Sequence, residues 1–361
     1  MCLVLSVSSL VLILGGISLM AAVQLGIDNL LASQPDWLRS ARIGLLANQA
    51  SVDNRLRHTQ NRLLEAGANL TAIFAPQHGY LGEQQANMIE SDNFIDKHLG
   101  IPVFSLYSAT RQPTDDMLSH IDILVVDLQD VGTRVYTFAS TVALCMEAAR
   151  DHDVKVVVLD RPNPIGGKRS EGNLLDPERS SFVGRFPIPM RHGLTMAELA
   201  LLFNEVFDIG APLKVFHLNG WRRSMLHGHT GLYWVPPSPN LPTTESTLVY
   251  PGQVILEGTN LSEGRGTTTP FELWGSPYLK PELVTERLDQ EHLSGLILRP
   301  ARFTPSFDKW TGQSCAGFHI HVADPEKSVS YTHLTLPTIR RGGGWRGGGG
   351  GWGGGGGGGG G

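Results

Sequence analysis

Residues 250–272 read YPGQVILEGTNLSEGRGTTTPFE. They gather two carboxylates (Glu257, Glu263), an amide (Asn260), a guanidinium (Arg265) and several threonines among Gly258, Gly264 and Gly266. Glycine permits φ > 0 and a close approach of backbone to ligand, so a loop of this composition can wrap a polar molecule. The plainer reading is a solvated turn after a strand, here the β-branched run Val254-Ile255-Leu256. A second segment favours a site. In FAPQHGYLGEQQANM (74–88), an apolar strand over Leu70–Phe74 releases Gln77, His78, Glu83, Gln84, Gln85 and Asn87 into a loop. Loops beyond the carboxyl ends of strands form the ligand crevice in open α/β sheets. Two polar, glycine-bearing loops far apart in sequence therefore suggest one composite site.

The elements that position these loops follow from hydrophobic patterning. Ile43–Ala47 ends at Asn48. A helical pattern over Leu56–Ala66 closes at Gly67 and leads into the strand Leu70–Phe74. Ile121–Asp127 ends in DLQDVGTRVYTF, a helix with Leu144, Met146 and Ala148 follows, and Lys155–Asp160 ends in RPNPIGG. Continuous apolar strands separated by helices predict an α/β, Rossmann-like parallel sheet covered on both faces. Thr195–Phe207 reads as a helix with Thr195 as N-cap and Glu198 completing a capping box. Beyond Gly210 the pattern changes to short strands (Leu213–Leu218), tryptophans and the proline-rich 236–243. This predicts a Rossmann-like domain over 20–212 and a smaller α+β domain over 213–327.

Composition removes several function classes. A net charge of −5 without basic clusters gives no footprint for nucleic acid. Neither G-x-G-x-x-G after the first strand nor G-x-x-x-x-G-K-[ST] occurs, so no nucleotide cofactor is expected. Cys2, Cys145 and Cys315 have no metal or redox spacing, and the alternating histidines at 227–229 and 319–321 lack a carboxylate framework; no metal is expected. Residues 1–19 are apolar and fit a signal-peptide core without its usual basic residue, which points to a periplasmic or secreted protein, or to a cytoplasmic one if Met20 is the true start. Stable membrane insertion is not expected. From about Ser328 the text turns into SYTHLTLPTI and then glycine, which reads as a disordered, artefactual tail.

Seven segments together resemble the exo-β-N-acetylmuramidase family (NamZ-like, long described as DUF1343): GLLANQAS, FAPQHGYLGEQQANM, DLQDVGTRVYTF, LDRPNPIGG with EGN, FPIPMRHGLTMAELA, PPSPNLPT and YPGQVILEGTNLSEGRGTTTPFE. They span about residues 22–325 in the family's order. The resemblance implies a site in the cleft between a Rossmann-like domain and a smaller carboxy-terminal one. It also implies release of terminal N-acetylmuramic acid from the non-reducing end of peptidoglycan fragments in cell-wall turnover and recycling. Two departures stand out. Many members carry Glu where Gln77 stands here, and an amide cannot donate a proton. Members also continue beyond the point where the tail begins, so the carboxy-terminal domain is expected to be truncated.

Glycosidic cleavage usually needs one protonated carboxyl at the leaving oxygen and one carboxylate opposite it. Burial in a cleft keeps one carboxyl protonated. Glu83 is the expected acid and Asp130 its partner, with Glu263 and Glu257 as alternatives and His78 as a proton shuttle. The plainer readings are a solvated Glu83, a loop-capping Asp130 and a structural His78. Arg134, Arg191 and Arg265 are candidates for the lactyl carboxylate of the substrate, unless acidic neighbours occupy them. Tyr136 and Trp234 could stack on sugar faces or belong to the core. Asn48, Gln77, His192, Asn240, Glu257 and Asn260, all inside the matching segments, complete the expected substrate contacts. Attack by the substrate's own acetamido group is a further route. A rival reading is a noncatalytic muropeptide-binding protein that kept the cleft.

Overall fold

The computed structural model describes residues 22–85, 89–286 and 293–328. The apolar stretch 1–19, the tail from 329 onward and residues 86–88 of the glutamine-rich loop lie outside the described residues. Twelve strands are described: β1 (Ile43–Ala47), β2 (Leu70–Ala75), β3 (Phe94–Ile95), β4 (Pro102–Ser105), β5 (Ile123–Asp127), β6 (Lys155–Leu159), β7 (Glu171–Leu174), β8 (Pro189–Arg191), β9 (Leu213–Phe216), β10 (Leu273–Ser276), β11 (Leu296–Phe303) and β12 (Cys315–Val322).

Seven of them form one sheet in the order β3-β4-β2-β1-β5-β6-β9, parallel throughout except for β3 against β4. Side chains alternate between two cores. Leu46, Phe74, Leu124, Val126, Val156 and Val158 face the helices Phe138–Asp151 and Met196–Glu205. Leu45, Ile73, Val125 and Val157 face Leu25, Ile27, Leu30 and Leu63. Burial on both faces is why these strands read as unbroken apolar runs rather than alternating ones. The capping box at Thr195 forms as the sequence predicts, with Glu198 N–H donating to Thr195 Oγ1 and Thr195 N–H to Glu198 Oε2. The helix expected from Leu56 begins at Thr59 instead, because Leu56 sits at φ 60° and His58 is the N-cap.

Two expectations are corrected. The run Leu213–Leu218 does not open the second domain: β9 pairs in parallel with β6, from Val156 opposite Leu213 to Leu159 opposite Phe216. The helix Met196–Glu205 is the crossover that brings β9 back beside β6, so a boundary after residue 212 is too early. The run Val254–Leu256 is not a strand either. Thr243 caps a helix over Thr244–Gln253 that continues as a 3₁₀ turn over Val254–Gly258. Its β-branched residues are held by tertiary packing, with Val254 and Leu256 in the main core.

The smaller unit is a three-stranded antiparallel sheet, β10-β12-β11, with a short helix over Pro281–Thr285. Tyr250, Phe271, Trp274 and Phe318 belong to the same apolar cluster as Phe138 and Val142, so one core spans both units. The join is aromatic: Tyr136 meets Phe138 at 4.7 Å and Tyr250 at 6.4 Å, and Tyr250 meets Phe271 edge-on at 4.7 Å. Among the described residues no helix is long and apolar enough to cross a membrane.

Candidate active site

The strand order reverses at β1, which places the usual ligand crevice beyond the carboxyl ends of β1 and β5. In this chain that crevice is filled. Asn48 Nδ2 donates to Pro237 O at 2.9 Å and Gln49 Nε2 to Pro236 O at 2.8 Å, drawing the proline-rich segment over it. Beneath, the buried Asp127 and Arg161 form an ion pair, with Arg161 Nη2 also donating to Val52 O. The open space lies to one side. A cleft of about 620 Å³ is lined by the loops after β2, β4 and β5 and by the segment running from Tyr250 to Phe271.

The sheet-side wall carries Gln77, His78, Tyr136, Thr137, Ser238 and Asn240. Thr137 Oγ1 donates to Gln77 Oε1 at 2.8 Å, and Thr137 is also the N-cap residue of the helix Phe138–Asp151. His78 takes φ 75°, a conformation costly for most side chains though more accessible to histidine. Its ring spans two segments, with Nδ1 2.8 Å from Gln84 O and Nε2 3.2 Å from Ser238 Oγ. Burial, reinforced by the nearby Arg265 charge and partly opposed by the Gln84 carbonyl, holds the His78 pKa below its ordinary value. Asn240 Nδ2 donates to Gln85 O at 3.0 Å. Tyr136 is buried, and its hydroxyl has no hydrogen-bond partner among the described residues. A buried phenol of this kind on a cleft wall is an unspent donor and acceptor.

The opposite wall carries Tyr250, Glu257, Arg265 and Phe271. Arg265 Nη2 donates to Glu257 Oε1 at 2.6 Å, and its guanidinium lies 5.0 Å from the Phe271 ring centroid. Behind this layer sits Glu263, 1% exposed, with Arg265 Nε 3.3 Å from Oε1 and Lys309 Nζ 3.0 Å from Oε2. Burial raises the Glu263 pKa, and the Lys309 and Arg265 charges offset only part of that rise. Glu257 is the carboxylate that lines the cleft; Glu263 supports the wall from within.

Asp130 and His192 form a buried pair behind the sheet-side wall. Leu194 N–H donates to His192 Nδ1 at 3.1 Å, so the other ring nitrogen carries the proton toward Asp130 Oδ2, also 3.1 Å away. Gly132 N–H donates to the same Asp130 oxygen at 2.6 Å, the loop-capping role.

Other expected site residues are placed elsewhere. Glu83 is exposed and absent from the cleft lining, its carboxylate folded against Gly79. Arg134 Nη1 donates to the carbonyls of Asn173 and Ile188. Arg191 is bound to Glu171 and to Ile165 O, outside the cleft. Asn260 is exposed, its carbonyl accepting from Trp310 Nε1 at 2.7 Å. Asn48 is fully buried at the plugged crevice. Trp234 packs edge-on to His227 and donates to Leu241 O at 3.2 Å. His319 and His321 lie along β12 beside Arg299.

Sequence reasoning passed over Tyr107, Arg111, Phe182, Tyr250 and Phe271, all of which line the cleft. Tyr107 and Arg111 follow β4, so the rule that flagged the loop after β2 applies to them equally.

The sequence signature described as Exo-beta-N-acetylmuramidase NamZ, N-terminal, matches residues 43–245, and its C-terminal counterpart matches residues 248–340. The chain belongs to the exo-β-N-acetylmuramidase NamZ family. The two signatures adjoin between 245 and 248, just after Thr243 caps the helix that enters the smaller unit. A curated relative, the peptidoglycan beta-N-acetylmuramidase NamZ of Bacillus subtilis (strain 168), is 49% identical over 306 residues, covering 84% of this chain and 74% of the relative. Two crystal structures of DUF1343 family proteins from Bacteroides fragilis NCTC 9343 are similar in fold. One has a TM-score of 0.79 at 38% identity, covering 86% of this chain and 80% of that one. The other has a TM-score of 0.66 at 32% identity, covering 82% and 76%.

Proposed function

We propose that this chain is an exo-β-N-acetylmuramidase, a glycoside hydrolase that releases terminal N-acetylmuramic acid from the non-reducing end of peptidoglycan fragments during cell-wall turnover and recycling. The observation that carries the reading is a roomy cleft to which both family halves contribute, with Gln77, His78 and Asn240 on one wall and Glu257 and Arg265 on the other. Its volume suits a small saccharide, and Tyr136, Tyr250 and Phe271 supply the aromatic surface on which sugar rings pack.

Glu257 is the one carboxylate among the described residues lining the cleft, so it takes the place expected of Glu83 as proton donor to the leaving oxygen, a role that requires its ion pair with Arg265 to be given up when substrate binds. No second carboxylate stands opposite it among the residues lining the cleft. That favours the route in which the acetamido oxygen of the substrate attacks the anomeric carbon while Glu257 protonates the departing oxygen. Glu257, now a carboxylate, then takes a proton from the water that resolves the intermediate. His78, kept neutral by burial, and Gln77 are left to bind and orient.

One observation favours a second reading, a muropeptide-binding protein without turnover: the cleft-lining residue Gln77 is an amide, which cannot donate a proton. Incubation with a chromogenic β-N-acetylmuramide, in parallel with its glucosamine analogue, separates the two. Colour released from the muramide alone supports the hydrolase. Saturable binding without release supports the second reading, and neither binding nor release overturns both.

A further inference from the structure

Resting on the muramidase reading, we infer that Arg111 is the specificity residue that reads the free lactyl carboxylate of N-acetylmuramic acid, the group that distinguishes this sugar from N-acetylglucosamine. Four arginines are candidates by position, and their partners separate them. Arg265 is 8% exposed and already paired with Glu257, itself one-third exposed, and with the buried Glu263. Arg191 is paired with Glu171, 9% exposed, outside the cleft. Arg134 is spent on two backbone carbonyls, also outside it. Arg111 lines the cleft, and its one carboxylate partner among the described residues is Glu90, 3.2 Å away and 57% exposed.

The energetics favour exchange at Arg111 and oppose it at Arg191 and Arg265, while Arg134 lies outside the cleft with its donors on carbonyls. Breaking a buried ion pair strands a charge at a cost of several kcal/mol, whereas an exposed pair is typically worth about 1 kcal/mol or less. An incoming carboxylate can therefore take the Glu90 position on Arg111 at small cost. The guanidinium is also pre-oriented. It stacks 3.8 Å above the Tyr107 ring, lies 5.9 Å from the Phe182 ring, and donates to Ser108 O. A planar fork held flat on an aromatic face presents its edge to a carboxylate in a fixed direction. Tyr107 and Phe182 line the same part of the cleft, 6.0 Å apart, and supply an apolar wall for the lactyl methyl group.

The test compares a chromogenic β-N-acetylmuramide with its lactyl methyl ester, which keeps the shape and loses the charge. Wild type should prefer the acid. Arg111→Gln should lower kcat/KM on the acid by about 10- to 100-fold, mostly through KM, the range expected when a charge-assisted hydrogen bond is lost. Turnover of the ester should stay within about 3-fold, since the lost bond served the charge alone. Arg111→Lys should recover part of the loss. Glu90→Gln removes the competing carboxylate and should lower KM for the acid with no effect on the ester. An acid-to-ester ratio unchanged in Arg111→Gln, or an equal loss on both substrates, overturns the assignment and leaves Arg111 as a pin for its own loop. Wild type that turns over neither substrate overturns the muramidase reading, and this inference with it.

Discussion

Glu257 and Arg265 face each other at 2.6 Å on one wall of the cleft, while Nε of the same guanidinium lies 3.3 Å from the buried Glu263. One arginine thus ties the cleft carboxylate to an interior one. The loop between them turns back on itself at Gly264, φ 82°, where a side chain would collide with the Leu273 carbonyl. The glycines that first mark this segment therefore shape the wall that presents Glu257.

If Glu257 donates the proton, Glu257→Gln should lose about 10²- to 10⁴-fold in kcat on a natural muropeptide, the usual span for general acid catalysis. The loss should shrink on an activated aryl leaving group, which needs less protonation. Glu83→Gln, at an exposed position outside the cleft, should stay within about 3-fold of wild type, as exposed substitutions away from a site usually do. Rates of both variants on both substrates decide it. The reverse ranking on the muropeptide returns the acid role to Glu83.

Gln77 offers a complementary test. Its amide oxygen accepts a hydrogen bond from Thr137, and the residue is 6% exposed. A carboxyl group placed there would be desolvated and biased toward its protonated form, as a cleft acid requires. Gln77→Glu should therefore retain activity or raise it. Loss of more than about 10-fold in kcat/KM, with an unchanged melting temperature, would show that this branch has been rebuilt around the amide.

What the sequence reveals follows the physics of each element. β1, β2, β5 and β6 are legible because both faces of the sheet are covered, which forces continuous apolar runs. Gln77, His78, Tyr136, Asn240, Glu257 and Arg265 are legible as cleft residues because their segments crowd polar groups where no strand continues. Arg111 is not, because its strand is only Pro-Val-Phe-Ser and breaks the pattern with a leading proline. Nor can residue type separate Arg111 from Arg134 and Arg191, whose fate is set by carbonyls and a carboxylate contributed from elsewhere in the chain. The strand expected at Val254–Leu256 fails for a related reason: the cap that decides the local structure is Thr243, well upstream of the β-branched run.

Tyr136→Phe should separate binding from folding. The phenol oxygen is buried without a partner among the described residues, so its removal relieves a desolvation cost instead of breaking a bond. The melting temperature should hold or rise. If the hydroxyl meets the sugar, KM should increase about 5- to 20-fold, equivalent to one neutral hydrogen bond. A stable variant with unchanged KM would place the sugar elsewhere in the cleft.

The last prediction concerns pH and Asp160. This residue ends the strand β6, is 4% exposed, and accepts hydrogen bonds from the backbone of Arg161 and Ala197. Burial pushes its pKa up from 3.8 to about 6, against the opposing pull of the Ala197 N–H and the Thr195 hydroxyl. The folded state then binds this proton more tightly than the unfolded chain does. Its contribution to stability is complete below about pH 3.8 and is lost as pH rises through about 6. A displacement of about two pKa units corresponds to roughly 3 kcal/mol. Asp160→Asn keeps an acceptor oxygen for both N–H groups and removes the titration. The stability of Asp160→Asn relative to wild type should therefore grow by roughly 2 kcal/mol between pH 4 and pH 7, whatever its offset at either end. Buried histidines such as His227, pushed down to about 4, tilt the absolute curves the other way, but they are common to both proteins and cancel in the difference. Urea unfolding of the two proteins across this range measures it, and a difference flat with pH would mean that Asp160 stays ionised in the fold.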